Sequence, residues 1–123
     1  MVEGFEVSVD TVKKLLKSGD PLFFVNLRHH LDWDTAVMKA RGAFRVSDDR
    51  VEQHLSEIPR DRTIIIYSIC PGDEPSIRAA RLLQQHGWND VHPLDGGFYA
   101  YLRAGLPVVG IPGRDVATKM MFL

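Results

Sequence analysis

Cys70 is the chain's one cysteine, and it stands where the apolar run Thr63-Ile64-Ile65-Ile66-Tyr67-Ser68-Ile69 gives way to Pro71-Gly72-Asp73-Glu74-Pro75 and a helix-like segment. A thiol does nucleophilic or carrier chemistry as thiolate. At the carboxyl end of a buried strand, facing a loop and a helix amino terminus, backbone N–H groups and the helix dipole are available to stabilise a thiolate or an anionic adduct. The structural alternative is a small buried hydrophobe, the ordinary lot of a lone cysteine.

Other groupings are chemically weaker. Arg28-His29-His30-Leu31-Asp32-Trp33-Asp34 holds two imidazoles and two carboxylates. Adjacent histidines point in different directions, however, and no second ligand pair follows at a recognised interval, so the segment reads as a solvated loop and no metal is expected. His86 and His92 read as equally ordinary. Gly96-Gly97 is a tight turn without the strand, helix and downstream acid of a dinucleotide fingerprint, so no nucleotide cofactor is expected. Tyr67 is expected to pack its ring in the core and turn its hydroxyl towards the Cys70 loop. Arg78 and Arg81 either reach back to that loop or, as is usual on helices, are solvated or paired with Asp73 and Glu74.

The elements that must position Cys70 can be read from periodicity. With 123 residues, 45% hydrophobic and 25% charged, the chain supports one core and is too short for two ordinary domains. Fifteen Lys and Arg against sixteen Asp and Glu give no general attraction for nucleic acid or acidic membranes, so neither is an expected partner. One cysteine makes no internal disulfide, and no basic-then-apolar leader or run of about 20 apolar residues is present, which points to a reducing cytoplasm.

Phe5-Glu6-Val7 reads as a short strand, and Ser8 as N-cap of a helix with Val12, Leu15 and Leu16 on one face, stopped at Ser18-Gly19-Asp20-Pro21. Leu22-Phe23-Phe24-Val25 is a continuous apolar run suited to a strand covered on both faces, with Asn26-Leu27-Arg28 emerging at its end. His29 to Arg41 leaves the sheet. Ala43-Phe44-Arg45-Val46 returns as a strand, and Asp48 or Asp49 is placed to cap a helix carrying Val51, Leu55 and Ile58. Thr63 to Ile69 is the next strand, Ser76 to His86 a helix stopped by Gly87, Val91 to Leu94 a short strand, and Phe98 to Ala104 a last helix. This alternation predicts an α/β domain with a parallel sheet and helices on both faces. Such sheets bind ligands outside the carboxyl ends of their strands, where Cys70 lies.

Several segments, in order, resemble the rhodanese-like domain family. Phe23-Phe24-Val25-Asn26-Leu27-Arg28 resembles its strand ending in Asp-Val-Arg, Asp32-Trp33 its acidic-aromatic pair, and Gly42-Ala43 its Pro-Gly-Ala. The stretch Gly87-Trp88-Asn89-Asp90-Val91-His92-Pro93-Leu94-Asp95-Gly96-Gly97, with Tyr101 and Ala104-Gly105-Leu106-Pro107-Val108, resembles its closing signature. The resemblance implies a single rhodanese-like domain over residues 5–108 with a central parallel sheet of about five strands, followed by an extension over 109–123. It also implies a small sulfurtransferase that carries sulfane sulfur as a persulfide on Cys70. The expected partners are then a small-molecule or protein sulfur donor and a thiol acceptor.

The departures from the family pattern shape the expected site. Active members place the cysteine directly after the strand tyrosine, whereas Ser68 follows Tyr67 here and Cys70 comes two residues later, opening a longer loop that resembles a Cys-Pro-Asn-Glu type subgroup. Asp73 and Glu74 stand where active members often carry cations. Two carboxylates near a thiolate raise its pKa and repel a dianion, making thiosulfate a poor donor. Backbone N–H groups of the loop partly replace the cations: Gly72 permits a close approach or a positive φ, while Pro71 and Pro75 lack a donor. Ser76 caps the helix or donates to a bound sulfur species.

Asn26 replaces an aspartate, keeping a short hydrogen-bonding group without its charge. Arg28 either pairs with Asp32 or Asp34 or lends positive potential to the pocket. The alternative function is a catalytically weak or inactive domain that binds a partner or regulates it. A phosphatase cradle of similar length ends in arginine where Ser76 stands, so phosphatase activity is not expected. Gly110-Ile111-Pro112-Gly113 reads as a flexible connector to the apolar Met120-Met121-Phe122-Leu123, which is expected to dock on its own domain or form a homodimer contact.

Overall fold

The apolar run before Cys70 is the innermost strand of the protein. In the computed structural model, which describes residues 2, 4–29, 36–69 and 73–113, the chain runs α1 (Val9–Lys17), β1 (Leu22–Arg28), β2 (Met38–Ala40), β3 (Phe44–Ser47), a 3-10 segment (Val51–Glu57), β4 (Thr63–Ser68), α2 (Glu74–Gln85), β5 (Val91–Pro93), α3 (Gly97–Arg103) and β6 (Val108–Gly110). Every residue of β4 is buried, as suits a strand that opens with four β-branched residues, Thr63 to Ile66, and is covered on both sheet faces. β1 flanks it in parallel from Leu22 opposite Thr63 to Leu27 opposite Ser68, and β5 lies on its other side. The order β3-β1-β4-β5 is parallel throughout. This sheet has four full strands among the described residues; the segment read as an opening strand at Phe5 to Val7 adds a single bridge, Val7 to Leu94.

Alternation along β4 divides the core. Ile64 and Ile66 face a cluster with Val25, Leu27, Ala80, Leu83 and Trp88 beneath α2, while Ile65 and Tyr67 face one with Val12, Phe24, Leu94, Phe98 and Tyr101 beneath α1 and α3. Full burial of each large aliphatic side chain contributes about 1.5–3 kcal/mol, so the strand that carries the site is also the most heavily anchored. α1 starts as the sequence predicts, with the Ser8 hydroxyl accepting the Thr11 N–H at 3.2 Å. Just past the end of α2, Gly87, with a φ of +99°, lets the chain turn back so that the Trp88 N–H reaches the Leu83 carbonyl at 3.0 Å.

The described part of His29 to Arg41 leaves the parallel sheet, as expected, while two other expectations are corrected. Within that stretch β2 pairs antiparallel with β6 in a separate two-stranded sheet, Met38 opposite Gly110. The supposed connector therefore begins as strand, and Ile111 is buried with its N–H on the Val37 carbonyl at 2.8 Å. Neither Asp48 nor Asp49 caps a helix: the segment after them is 3-10, preceded by Arg50 without a side-chain cap, and Asp49 accepts the Ser47 hydroxyl instead.

Candidate functional site

β4 stops at Ser68 and α2 starts at Glu74, so residues 69–73 join the carboxyl end of the innermost strand to the amino end of a helix of 12 residues. Cys70, Pro71 and Gly72 of that connection lie outside the described residues. Its two shoulders are described, and they are tied together by the turn before α3. Gly97 has φ +60°, and a Cβ on it would lie 2.9 Å from the Ser68 carbonyl oxygen, so only glycine lets α3 approach the strand end this closely. Next to it, the Gly96 N–H donates to Asp73 Oδ2 at 3.2 Å. The glycine pair, read from sequence only as a turn, thus packs against the residue before the loop's apolar end and holds the residue after it.

Asp73 precedes the first helical residue but makes no side-chain cap; its carbonyl takes the Ile77 N–H at 2.9 Å and the Ser76 hydroxyl at 2.8 Å. Ser76 is 1% exposed. The expectation that it caps the helix is therefore replaced: it sits in the first turn and donates back to Asp73. The helix begins two residues earlier than predicted because Pro75 occupies its first turn, where a missing N–H costs nothing. Glu74 is exposed and Pro75 half-buried. An acid in the first turn favours the helix through its dipole.

The carboxylates do gather here. One oxygen each from Glu6, Asp73 and Asp95 lies within 4.8 Å of the others. Glu6 and Asp95 are exposed and escaped the sequence reading, since the only signal for them is the pairing of Val7 with Leu94 that brings their neighbours side by side. Arg81, by contrast, turns away from the loop, its guanidinium 4.4 Å from the Phe5 ring centroid. Arg78 is exposed.

Asn26 is fully buried opposite Tyr67 on β4 and Arg45 on β3. Its Oδ1 accepts the Arg45 Nε–H at 3.0 Å, and its amide nitrogen donates to the Leu27 carbonyl at 3.4 Å. These hydrogen bonds run to β3 and along its own strand. Arg28 ends β1, and its carbonyl accepts the Asp48 N–H at 2.9 Å; Asp32 and Asp34, the expected partners of its side chain, lie outside the described residues, as does His30. Tyr67 stacks on Phe98, ring centroids 5.2 Å apart, and on Tyr101 at 6.3 Å. Its hydroxyl accepts the Ala40 N–H at 3.0 Å, which ties β4 to β2; residues 70–72 of the loop towards which it was expected to turn lie outside the described residues. Tyr101 itself is pushed up to about 12 by burial, against a smaller opposing effect of Arg41, and donates to the Pro107 carbonyl at 2.5 Å. It is a neutral structural donor.

Among the described residues, a buried strand end and a helix amino terminus thus stand on either side of residues 70–72, beside the carboxylates of Glu6, Asp73 and Asp95. Comparison with known proteins places the chain in a lineage. Residues 8–104 match the family described as the rhodanese-like domain. A protein of Allochromatium vinosum named sulfurtransferase is 42% identical over 112 residues, covering 88% of this chain and 97% of its own. The thiosulfate sulfurtransferase GlpE of Shewanella oneidensis is 32% identical over 63 residues, 51% of this chain and 60% of that one. Among solved structures, the rhodanese-like domain of an Anabaena protein superposes with a TM-score of 0.70 at 25% identity, covering 88% of this chain and 80% of that one. On the match over residues 8–104 and the shared parallel architecture, the chain belongs to the rhodanese-like domain family.

Proposed function

We propose that this protein is a sulfurtransferase that carries sulfane sulfur as a persulfide on Cys70 and takes it from a low-molecular-weight persulfide or a protein donor in preference to thiosulfate. The observation that carries the reading is the placement of residue 70 between the end of β4 and the start of α2, in a chain related to proteins named sulfurtransferase. The Cys70 thiolate attacks the outer sulfur of the donor; the new S–S bond forms as the donor's own S–S bond breaks, and the donor leaves as thiolate. Loop amides in the 71–76 stretch, apart from the two prolines, stabilise the anionic Cys70 persulfide. An acceptor thiolate then attacks the outer sulfur, takes it as its own persulfide, and returns Cys70 to thiolate. The carboxylates of Glu6, Asp73 and Asp95 disfavour the approach of the thiosulfate dianion. The chemistry needs free thiol, which a reducing compartment such as the cytoplasm keeps. Among the described residues no helix is long and apolar enough to cross a membrane.

Intact-mass measurement tests the reading, because the chain has a single thiol. The protein and its Cys70→Ser variant are incubated separately with glutathione persulfide and with thiosulfate. Addition of one reducible sulfur atom to the parent alone, faster from the persulfide, is the expected result. Equal loading from thiosulfate would remove the donor preference. No loading from either would leave a partner-binding domain as the better account.

A further inference from the structure

A shallow apolar groove of about 270 Å³ lies between the small β2–β6 sheet and α3, with Val37, Met38, Ile69, Phe98, Tyr99 and Leu102 along it. Tyr99 is 60% and Leu102 38% exposed, the two large hydrophobic side chains most open to water among the described residues. Exposed apolar side chains that adjoin one another mark a surface with an occupant. The volume falls below the ~300 Å³ at which small-molecule pockets begin, and an open groove of this size suits a few apolar side chains of a polypeptide.

The chain supplies those side chains at the groove's own rim. β6 pairs with β2 and Ile111 hydrogen-bonds Val37, so the backbone leaves Gly113 two residues beyond a bond to a groove residue. Beyond it, Arg114-Asp115-Val116-Ala117-Thr118-Lys119 is a polar-rich spacer before Met120-Met121-Phe122-Leu123. Six extended residues reach about 20 Å, ample for a groove that starts beside the tether. Tethering at that distance gives an effective concentration on the order of millimolar, which a separate copy at ordinary protein concentration does not match. We infer that Met120, Met121, Phe122 and Leu123 dock in the groove of their own chain, against Met38, Tyr99 and Leu102. The inference is independent of the sulfur chemistry proposed above.

Methionine methyl resonances report it directly. The chain has four methionines, one of them, Met38, in the groove and two in the docking segment. The full chain labelled with 13C in the methionine methyls, with Met120→Leu and Met121→Leu for assignment, is expected to show at least one tail methyl displaced upfield by the aromatic rings. That methyl should give contacts to Met38 or Tyr99 and the same position at low and high protein concentration. Tyr99→Asp, at an exposed site that leaves the fold intact, returns it to the free-methionine position. Deletion of residues 114–123 is expected to shift the amide resonances of Val37, Met38, Tyr99 and Leu102 while those of β1 and β4 stay in place. Tail methyls at the free position in the parent would overturn the inference. So would displacement that survives Tyr99→Asp, or that appears only at high concentration, which would assign the groove to a second copy.

Discussion

At the amino ends of its strands the parallel sheet is closed by side-chain donors, whereas at the carboxyl end of β4 the described residues are fastened by a glycine turn and bordered by carboxylates. Below, the Trp88 indole donates to the Pro59 carbonyl at 2.9 Å, and Arg60 lies 3.6 Å over its ring while donating to the His86 carbonyl at 2.9 Å. The His92 ring donates from Nδ1 to the Phe5 carbonyl at 2.8 Å and meets the Asp90 carboxylate through Nε2 at 2.7 Å. Above, the loop's shoulders are fastened by the Gly96 N–H and the closeness of Gly97 to Ser68, with Glu6, Asp73 and Asp95 alongside. Cation, indole and imidazole serve stability at one end. The other end carries the amino terminus of α2 and a rim of carboxylates.

That contrast breaks most sharply at Trp88, which is 4% exposed and packs under α2. Trp88→Ala removes its burial, its bond to Pro59 and the surface under Arg60, and is expected to cost about 3–5 kcal/mol. Urea denaturation checks the loss. If the two ends are separate in role, the fraction that remains folded loads sulfur at the parent rate. A loading rate that falls with stability would show that the lower end also shapes the loop.

Much of this division was legible in sequence, and the parts that were not share a cause. The buried strand at 63–69, the Ser8 cap and the Gly87 stop depend on neighbouring residues, and periodicity or local backbone chemistry finds them. The β2–β6 pair joins two three-residue segments some 70 positions apart, far too short for a periodic signal, and only the fold brings them together. Missing that pair also hid the bond from the Ala40 N–H of β2 to the Tyr67 hydroxyl. The helix start expected at Ser76 lies at Glu74, because Pro75 fits the first turn. The clustering of Glu6 and Asp95 with Asp73 depends on one bridge between residues far apart in sequence.

The upper end is sharpened by Asp73→Asn. Asparagine still offers an oxygen to the Gly96 N–H, so the loop's shoulder keeps its fastening, but one charge of the rim is gone. In water, a unit charge and a dianion about 6 Å apart repel by about 1.4 kcal/mol, which is about tenfold in rate. The variant is expected to load from thiosulfate up to about tenfold faster, with a smaller change for a singly charged or neutral persulfide group. Stopped-flow or timed mass measurements with the two donors compare these rates. An equal gain with both donors would mean that Asp73 acts on the Cys70 thiolate itself and not on the incoming dianion.

The smallest expected effect belongs to Asp90 at the lower end. Burial by itself raises its pKa, but the hydrogen bonds from Thr63, at 2.6 Å, and from His92, together with the attraction of the His92 ring, outweigh it and hold the carboxyl below 3.8. A carboxyl depressed in the folded state gives a stabilisation that is fully present above its unfolded value near 3.8. As pH falls below that value the unfolded chain takes up the proton first, and the stabilisation is gone once the folded carboxyl is protonated as well. The parent should therefore lose more stability than Asp90→Asn between about pH 6 and about pH 2, measured as the difference between their urea midpoints at each pH. Parallel profiles would show that Asp90 serves as a hydrogen-bond acceptor whose charge is immaterial, and would confine the electrostatic work of this fold to the rim around Asp73.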